Sequence, residues 1–156
     1  MDQVHPGTDT GSVKDWRPAL RYNTDMPNRA KDWLTQAKRS LALVDTCMVG
    51  GFHEYACFAA QQAAEMAVKA LHQSHGQEAW GHVVRRLLED VPRPIAVPAQ
   101  LIDSARVLDQ YYMPTRYPNG HPAGAPAEHY GEQQSRDARE HARQIVEFCR
   151  LQMAGS

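Results

Sequence analysis

The hydrophobic positions of this chain recur with the spacing of α-helices. In the first such stretch they alternate at steps of four and three residues, as one face of a helix requires. These positions are Ala30, Leu34, Ala37, Leu41, Val44 and Met48. Asn28 stands at or near the expected N-cap, and Gly50-Gly51 follow where such a helix ends. The pattern predicts a first helix that begins near residue 28.

A second helical stretch runs from about His53 to His72 and is rich in alanine. Seven alanines lie between Ala56 and Ala70. Side chains this small allow a neighbouring helix to approach closely. Because only a short glycine turn separates the two stretches, we expect the first two helices to form an antiparallel hairpin.

Prolines divide the rest of the chain into three further helical stretches. They cover about residues 79–90, 101–112 and 132–153. Residues 113–130 contain four prolines and two glycines, so we expect a long loop there. No alternating strand pattern occurs anywhere in the sequence. The prediction is an all-α fold: an antiparallel up-and-down helical bundle of four main helices plus short helical pieces.

Length and composition indicate one globular domain. The chain has 156 residues, and 42% of them are hydrophobic. Residues 1–27 combine prolines and glycines with polar residues, so we expect a flexible N-terminal tail followed by a domain over 28–153. The net charge of −1 excludes a global electrostatic attraction to nucleic acid, and any such contact must be local.

The sequence offers little support for metal, redox or membrane chemistry. The cysteines, Cys47, Cys57 and Cys149, form no metal-binding or paired motif, and we expect reduced core thiols. The eight histidines lack metal-ligand spacing, so we expect no metal and no cofactor. No secretory signal or membrane-spanning run is visible, which favours a cytoplasmic location without a membrane partner. Trp80 is expected to serve in packing.

The most informative segment surrounds Arg116. Pro114 and Pro118 flank this arginine, and each proline restricts its own backbone and that of the preceding residue. A stiff backbone lowers the entropy cost of using a long side chain, and the planar guanidinium matches carboxylate or phosphate. Two interpretations stay open: Arg116 pairs with a carboxylate such as Glu65, or it contacts phosphate or RNA.

Several segments together resemble the HEPN family (higher eukaryotes and prokaryotes nucleotide-binding domains) over about residues 28–150. They are Ala30-x-x-Trp33-Leu34-x-x-Ala37, the run from Gly51 to Leu71, Gly81-His82 ahead of Leu87-Leu88, Tyr111-Tyr112-x-Pro114-Thr115-Arg116-Tyr117-Pro118, and Glu128-His129-Tyr130. The resemblance implies a helical bundle that forms a homodimer. It also implies an association with a minimal nucleotidyltransferase and, in many members, a metal-independent RNase site.

That RNase site uses an arginine and a histidine separated by four to six residues at the start of the last helix. Arg116 with His121, and Arg136 with His141, both have this spacing. Arg116 and His121, however, lie in the proline-rich loop. Arg136 and His141 are five positions apart, about 140° around a helix, and would not point at one phosphate.

These features favour a non-enzymatic HEPN-type module that binds a nucleotide or a nucleotidyltransferase partner as a dimer. The alternative is a metal-independent RNase toxin of a toxin-antitoxin pair, with Arg116 and His121 as catalytic residues. The expected binding residues are Arg116, Tyr117, Tyr112, Glu65, Lys69 and Gln62. For each, a simpler interpretation stays open: Glu65 and Lys69 would form an ordinary exposed i,i+4 pair, and the tyrosines would lie in the core or at its rim.

Overall fold

The structure, a computed structural model, describes residues 28–155 of the chain. The helices of this part are α1 (Ala30–Val49), α2 (His53–Ser74), α3 (Val84–Glu89), α4 (Ala99–Asp109) and α5 (Glu132–Ala154). Two 3₁₀ turns, Pro118–Gly120 and Pro126–Glu128, lie in the loop before α5. No strand occurs between residues 28 and 155, and the predicted all-α fold is confirmed. The prediction for residues 1–27 lies outside the described part.

Helix α2 is the central element of the bundle. It packs against α1 on one side and against α5 on another. Four of its buried alanines, Ala60, Ala63, Ala64 and Ala67, have no exposed surface. Small side chains along this surface allow both neighbouring helices to approach closely. Gly51, with φ of 79°, makes the tight turn that reverses the chain between α1 and α2.

The third and fourth helices differ from their predicted bounds. Helix α3 begins at Val84 and not near residue 79, and α4 ends at Asp109. The backbone amides of Val84 and Arg85 both donate to the Asp109 carboxylate, at 2.7 and 3.1 Å. Burial raises the pKa of Asp109, while these two hydrogen bonds act in the opposite direction. The end of α4 therefore caps the start of α3.

All three cysteines are free thiols, and two of them lie in the core. Cys57 and Cys149 are buried, whereas Cys47 is half-buried. Burial, reinforced by the charge of Glu54, raises the pKa of Cys57 to about 12, and burial also raises the pKa of Cys149. Because the thiolate is the reactive form, these two thiols are poor nucleophiles at neutral pH.

The helices of residues 28–155 do not meet the requirements of a membrane span. None of them combines the length and the apolar character that crossing a bilayer demands.

Candidate functional site

Arg116 lies in the loop after α4, where aromatic rings surround its guanidinium group. Its Cζ atom is 4.2 Å from the ring centre of Phe58, 4.7 Å from that of Tyr112 and 5.3 Å from that of Tyr117. Its Nε–H donates to the backbone carbonyl of Tyr112 at 2.8 Å. Ring faces attract a guanidinium ion electrostatically. The rings and the carbonyl therefore fix the position of the cation.

No carboxylate of residues 28–155 forms an ion pair with Arg116. The other two half-buried arginines of this part are ion-paired: Arg85 with Glu89 at 2.9 Å, and Arg150 with Glu147 at 2.7 Å. Arg116 is thus a half-buried cation that the described part of the chain holds by rings and a carbonyl, without an anionic partner.

The carboxylate suggested for Arg116 has other partners. Glu65 is the centre of a buried polar cluster, and its side chain is only 6% exposed. It accepts hydrogen bonds from Lys69 at 3.3 Å, from His82 at 2.8 Å and from Gln61 at 3.4 Å. The prediction of an Arg116–Glu65 pair is therefore wrong. The expected i,i+4 pair of Glu65 and Lys69 does form, but it is buried and not exposed.

His82 links the Glu65 cluster to Arg116. Its ring stacks on Tyr112, with ring centres 4.4 Å apart and planes inclined by 19°. Its backbone carbonyl accepts from Gln61 Nε2 at 3.2 Å, and Gln62 in turn donates to Gln61 at 2.7 Å. We call this continuous set of contacts the Arg116 cluster. Its members are Phe58, Gln61, Gln62, Glu65, Lys69, His82, Tyr112, Arg116 and Tyr117.

His82 was not among the site residues expected from the sequence. The available signal was the Gly81-His82 pair, which belongs to the family resemblance but carries no chemical motif of its own. Gly81 has φ of 101°, a backbone conformation that favours glycine, directly before His82. The binding residues that the sequence did predict are all members of this cluster: Gln62, Glu65, Lys69, Tyr112, Arg116 and Tyr117.

Exposed apolar side chains belong to the Arg116 cluster or lie close to its members in the sequence. Trp80 is 70% exposed and Tyr117 is 46% exposed, and both Val83 and Met113 are exposed as well. The assignment of Trp80 to packing is therefore wrong. Large exposed apolar groups beside an arginine are typical of recognition surfaces.

His121, the other half of the predicted RNase pair, lies in a different set of contacts. Its Nε2–H donates to the backbone carbonyl of Pro114 at 2.6 Å, and its ring stacks on His129 with ring centres 4.0 Å apart. No hydrogen bond or ring contact joins His121 to Arg116 in the described residues. The two side chains are thus held by separate partners.

In the second Arg-His pair, too, each side chain has a separate partner. Arg136 forms an ion pair with Glu132 at 3.3 Å, and His141 Nδ1 bonds the Ser104 hydroxyl at 2.8 Å. Arg136 thus contacts its own helix, whereas His141 contacts α4. Within residues 28–155, no group of three or more His, Cys, Asp or Glu side chains is placed to hold a metal ion.

Three comparisons place this architecture among known proteins. A family model described as the HEPN domain matches residues 30–152. A search of curated proteins found no significant match. The chain is 47% identical to TT1696 from Thermus thermophilus, with a TM-score of 0.80; the match covers 81% of this chain and 99% of that one.

Two further solved structures agree with this relationship. ST0689, an archaeal HEPN homologue, is 37% identical with a TM-score of 0.70, and the match covers 81% of this chain and 99% of that one. An HEPN domain protein from Thermotoga maritima, tm0613, is 31% identical with a TM-score of 0.65, covering 79% of this chain and 98% of that one. By its sequence and its fold, this chain belongs to the HEPN domain family.

Proposed function

We propose that this HEPN domain binds an anionic ligand of the nucleotide type and that Arg116 is its main contact. The observation that carries the proposal is the half-buried guanidinium of Arg116, which has no carboxylate partner in the described residues. A guanidinium fork matches phosphate oxygens in geometry and charge. The exposed ring of Tyr117 offers a surface on which a base can stack.

Loss of Arg116 should weaken ATP binding. We expect Arg116→Ala to raise the dissociation constant of ATP by about 10- to 100-fold, because a hydrogen bond to a charged group contributes about 1.5 to 3 kcal/mol. Isothermal titration calorimetry on wild type and variant, matched for folded protein by circular dichroism, measures this difference.

Arg106→Ala is the matched control, since Arg106 is exposed and paired with Asp103. We expect it to bind ATP as wild type does. Equal affinity of the Arg116→Ala and Arg106→Ala variants, or no ATP binding by wild type, would contradict the proposal.

A protein partner is the second candidate ligand. The exposed side chains of Trp80, Val83, Met113 and Tyr117 favour it, because large apolar residues near an arginine form the centre of many protein interfaces. The partner that the family relationship suggests is a minimal nucleotidyltransferase. We also propose that the domain acts as a homodimer, since HEPN domains often dimerise.

Substituting Trp80 tests whether the partner binds at this particular surface or through any exposed apolar side chain. We expect Trp80→Ala to raise the dissociation constant of a complex with a purified minimal nucleotidyltransferase at least about tenfold, which is the effect of an interface hot spot. Val49→Ser is the control, because Val49 is 91% exposed, ends α1 and is not a member of the Arg116 cluster. Size-exclusion chromatography with light scattering gives the mass of the domain and of the complex. A complex that both variants weaken equally would argue against this interface.

The RNase alternative has less support from the geometry. It requires Arg116 and His121 to act on one phosphate, and these side chains have separate partners in the described residues. Cleavage of labelled single-stranded RNA in EDTA by wild type, but not by His121→Ala, would restore that alternative.

A further inference from the structure

We infer that His82 is a proton-linked contact of the same ligand: binding of an anion at Arg116 is coupled to proton uptake by His82. The inference rests on the proposed function, because it concerns how the Arg116 cluster responds to an anion. It adds a residue and a pH dependence that neither the sequence motifs nor the family relationship contain.

The partner of His82 determines which ring nitrogen can change its protonation. Nδ1 lies 2.8 Å from Oε1 of Glu65, whose other oxygen, Oε2, is bound to Lys69. An ionised carboxylate only accepts hydrogen bonds, so Nδ1 keeps its proton in both the neutral and the charged ring. The remaining nitrogen, Nε2, is therefore the atom that gains or loses a proton.

His82 is also accessible, unlike the carboxylate that orients it. Its side chain is 54% exposed, whereas that of Glu65 is 6% exposed. In residues 28–155, no hydrogen bond to Nε2 of His82 is formed. A solute that approaches the Arg116 cluster can thus meet this nitrogen without displacing a protein partner.

His82 and Arg116 both contact the ring of Tyr112. The His82 ring stacks on it at 4.4 Å, and the Arg116 guanidinium lies 4.7 Å from the same ring centre. In the proposed complex, one triphosphate reaches both groups around the edge of this ring. Protonated Nε2–H would donate to a phosphate oxygen, while neutral Nε2 would direct a lone pair at it.

The charges around His82 make its protonation depend on the ligand. Glu65 on α2 and Tyr112 after α4 contact His82 directly. Lys69 contacts Glu65, and Arg116 contacts Tyr112. Asp109, at the end of α4, binds the backbone amide of Arg85, three residues after His82. Lys69 and Glu89 neutralise Glu65 and Arg85 respectively. A bound anion would add negative charge beside His82 and so favour its protonated form.

The coupling can be measured by calorimetry of wild type and His82→Gln with ATP at about pH 6 and about pH 8, on either side of the range in which histidine changes charge. Glutamine can still donate to Glu65 but carries no charge. We expect the wild-type affinity to fall between these pH values by about five- to tenfold more than that of the variant. The titration of ATP itself contributes equally to both proteins and cancels in this comparison.

A second measurement counts the protons directly. Binding heats in two buffers of different ionisation enthalpy give the net number of protons exchanged on binding, and wild type should take up more protons than His82→Gln at the same pH. Equal pH dependence in both proteins, or no excess proton uptake, would overturn the inference and leave Arg116 as the binding residue. Absence of ATP binding at either pH would instead reject the proposed function, and the inference with it.

Discussion

Replacing Glu65 by alanine is expected to lower the free energy of unfolding by about 3 to 5 kcal/mol, because it leaves the buried ammonium of Lys69 without its anion. The Lys69 side chain is only 11% exposed, and its Nζ lies 3.3 Å from Glu65 Oε2. The same substitution also removes the acceptor of His82 and of Gln61. Urea denaturation at constant m value measures the loss.

Two further variants test whether burial is the cause. Glu89→Ala breaks the more exposed pair with Arg85 and should cost about 0 to 1 kcal/mol. The double variant Glu65→Leu, Lys69→Met replaces the buried pair by apolar groups and should recover most of the stability. If Glu65→Ala costs no more than Glu89→Ala, the buried pair does not have this role.

Replacing His72 by alanine is expected to cost about 3 kcal/mol of unfolding free energy. This imidazole is 1% exposed, and its Nε2 lies 2.8 Å from the carbonyl oxygen of Leu87 in α3. Its Nδ1 bonds the side chain of Gln77 at 3.1 Å. Alanine would leave a cavity at the end of α2 and a buried carbonyl without its partner. Urea denaturation again provides the measurement.

His75 supplies the matched control for this prediction. It lies just past the end of the same helix, is half-buried and bonds only neighbouring groups of its own helix end. His75→Ala should change the free energy of unfolding by less than about 1 kcal/mol. Similar losses for the two variants would show that His72 has no special part in joining α2 to α3.

The long helices were predictable from the sequence because their signals are local. Helix α1 begins near Asn28, whose side chain accepts from the Ala30 amide at 2.9 Å, and it ends at the predicted glycines. Helix α5 begins at the predicted Glu132 and ends within one residue of the prediction. In both, a periodic hydrophobic face is bounded by residues that favour helix ends.

The start of α3 was not predictable in this way. Its cap is the carboxylate of Asp109, which is 25 residues from Val84 and belongs to another helix. Periodicity describes which face of a segment is apolar, but not which distant group satisfies its backbone amides. The prediction therefore began the helix about five residues too early.

The site was predictable in its membership but not in its pairing. Glu65, Lys69, Tyr112 and Arg116 are all expected at the site from the sequence, yet one of the two interpretations of Arg116 gives it Glu65, which the structure pairs with Lys69 and His82. The choice depends on His82, which reaches Glu65 from the segment before α3. Charges in a sequence indicate which pairs are possible, whereas the packing of separate segments decides which form.

The capping of α3 by Asp109 also has a consequence for the order in which the bundle assembles. A six-residue helix is far shorter than the roughly 12 to 15 residues at which isolated helices become even marginally stable in water. The carboxylate that completes its first turn is delivered only when the end of α4 has docked beside it. We therefore expect the end of α4 and the first turn of α3 to open and close together.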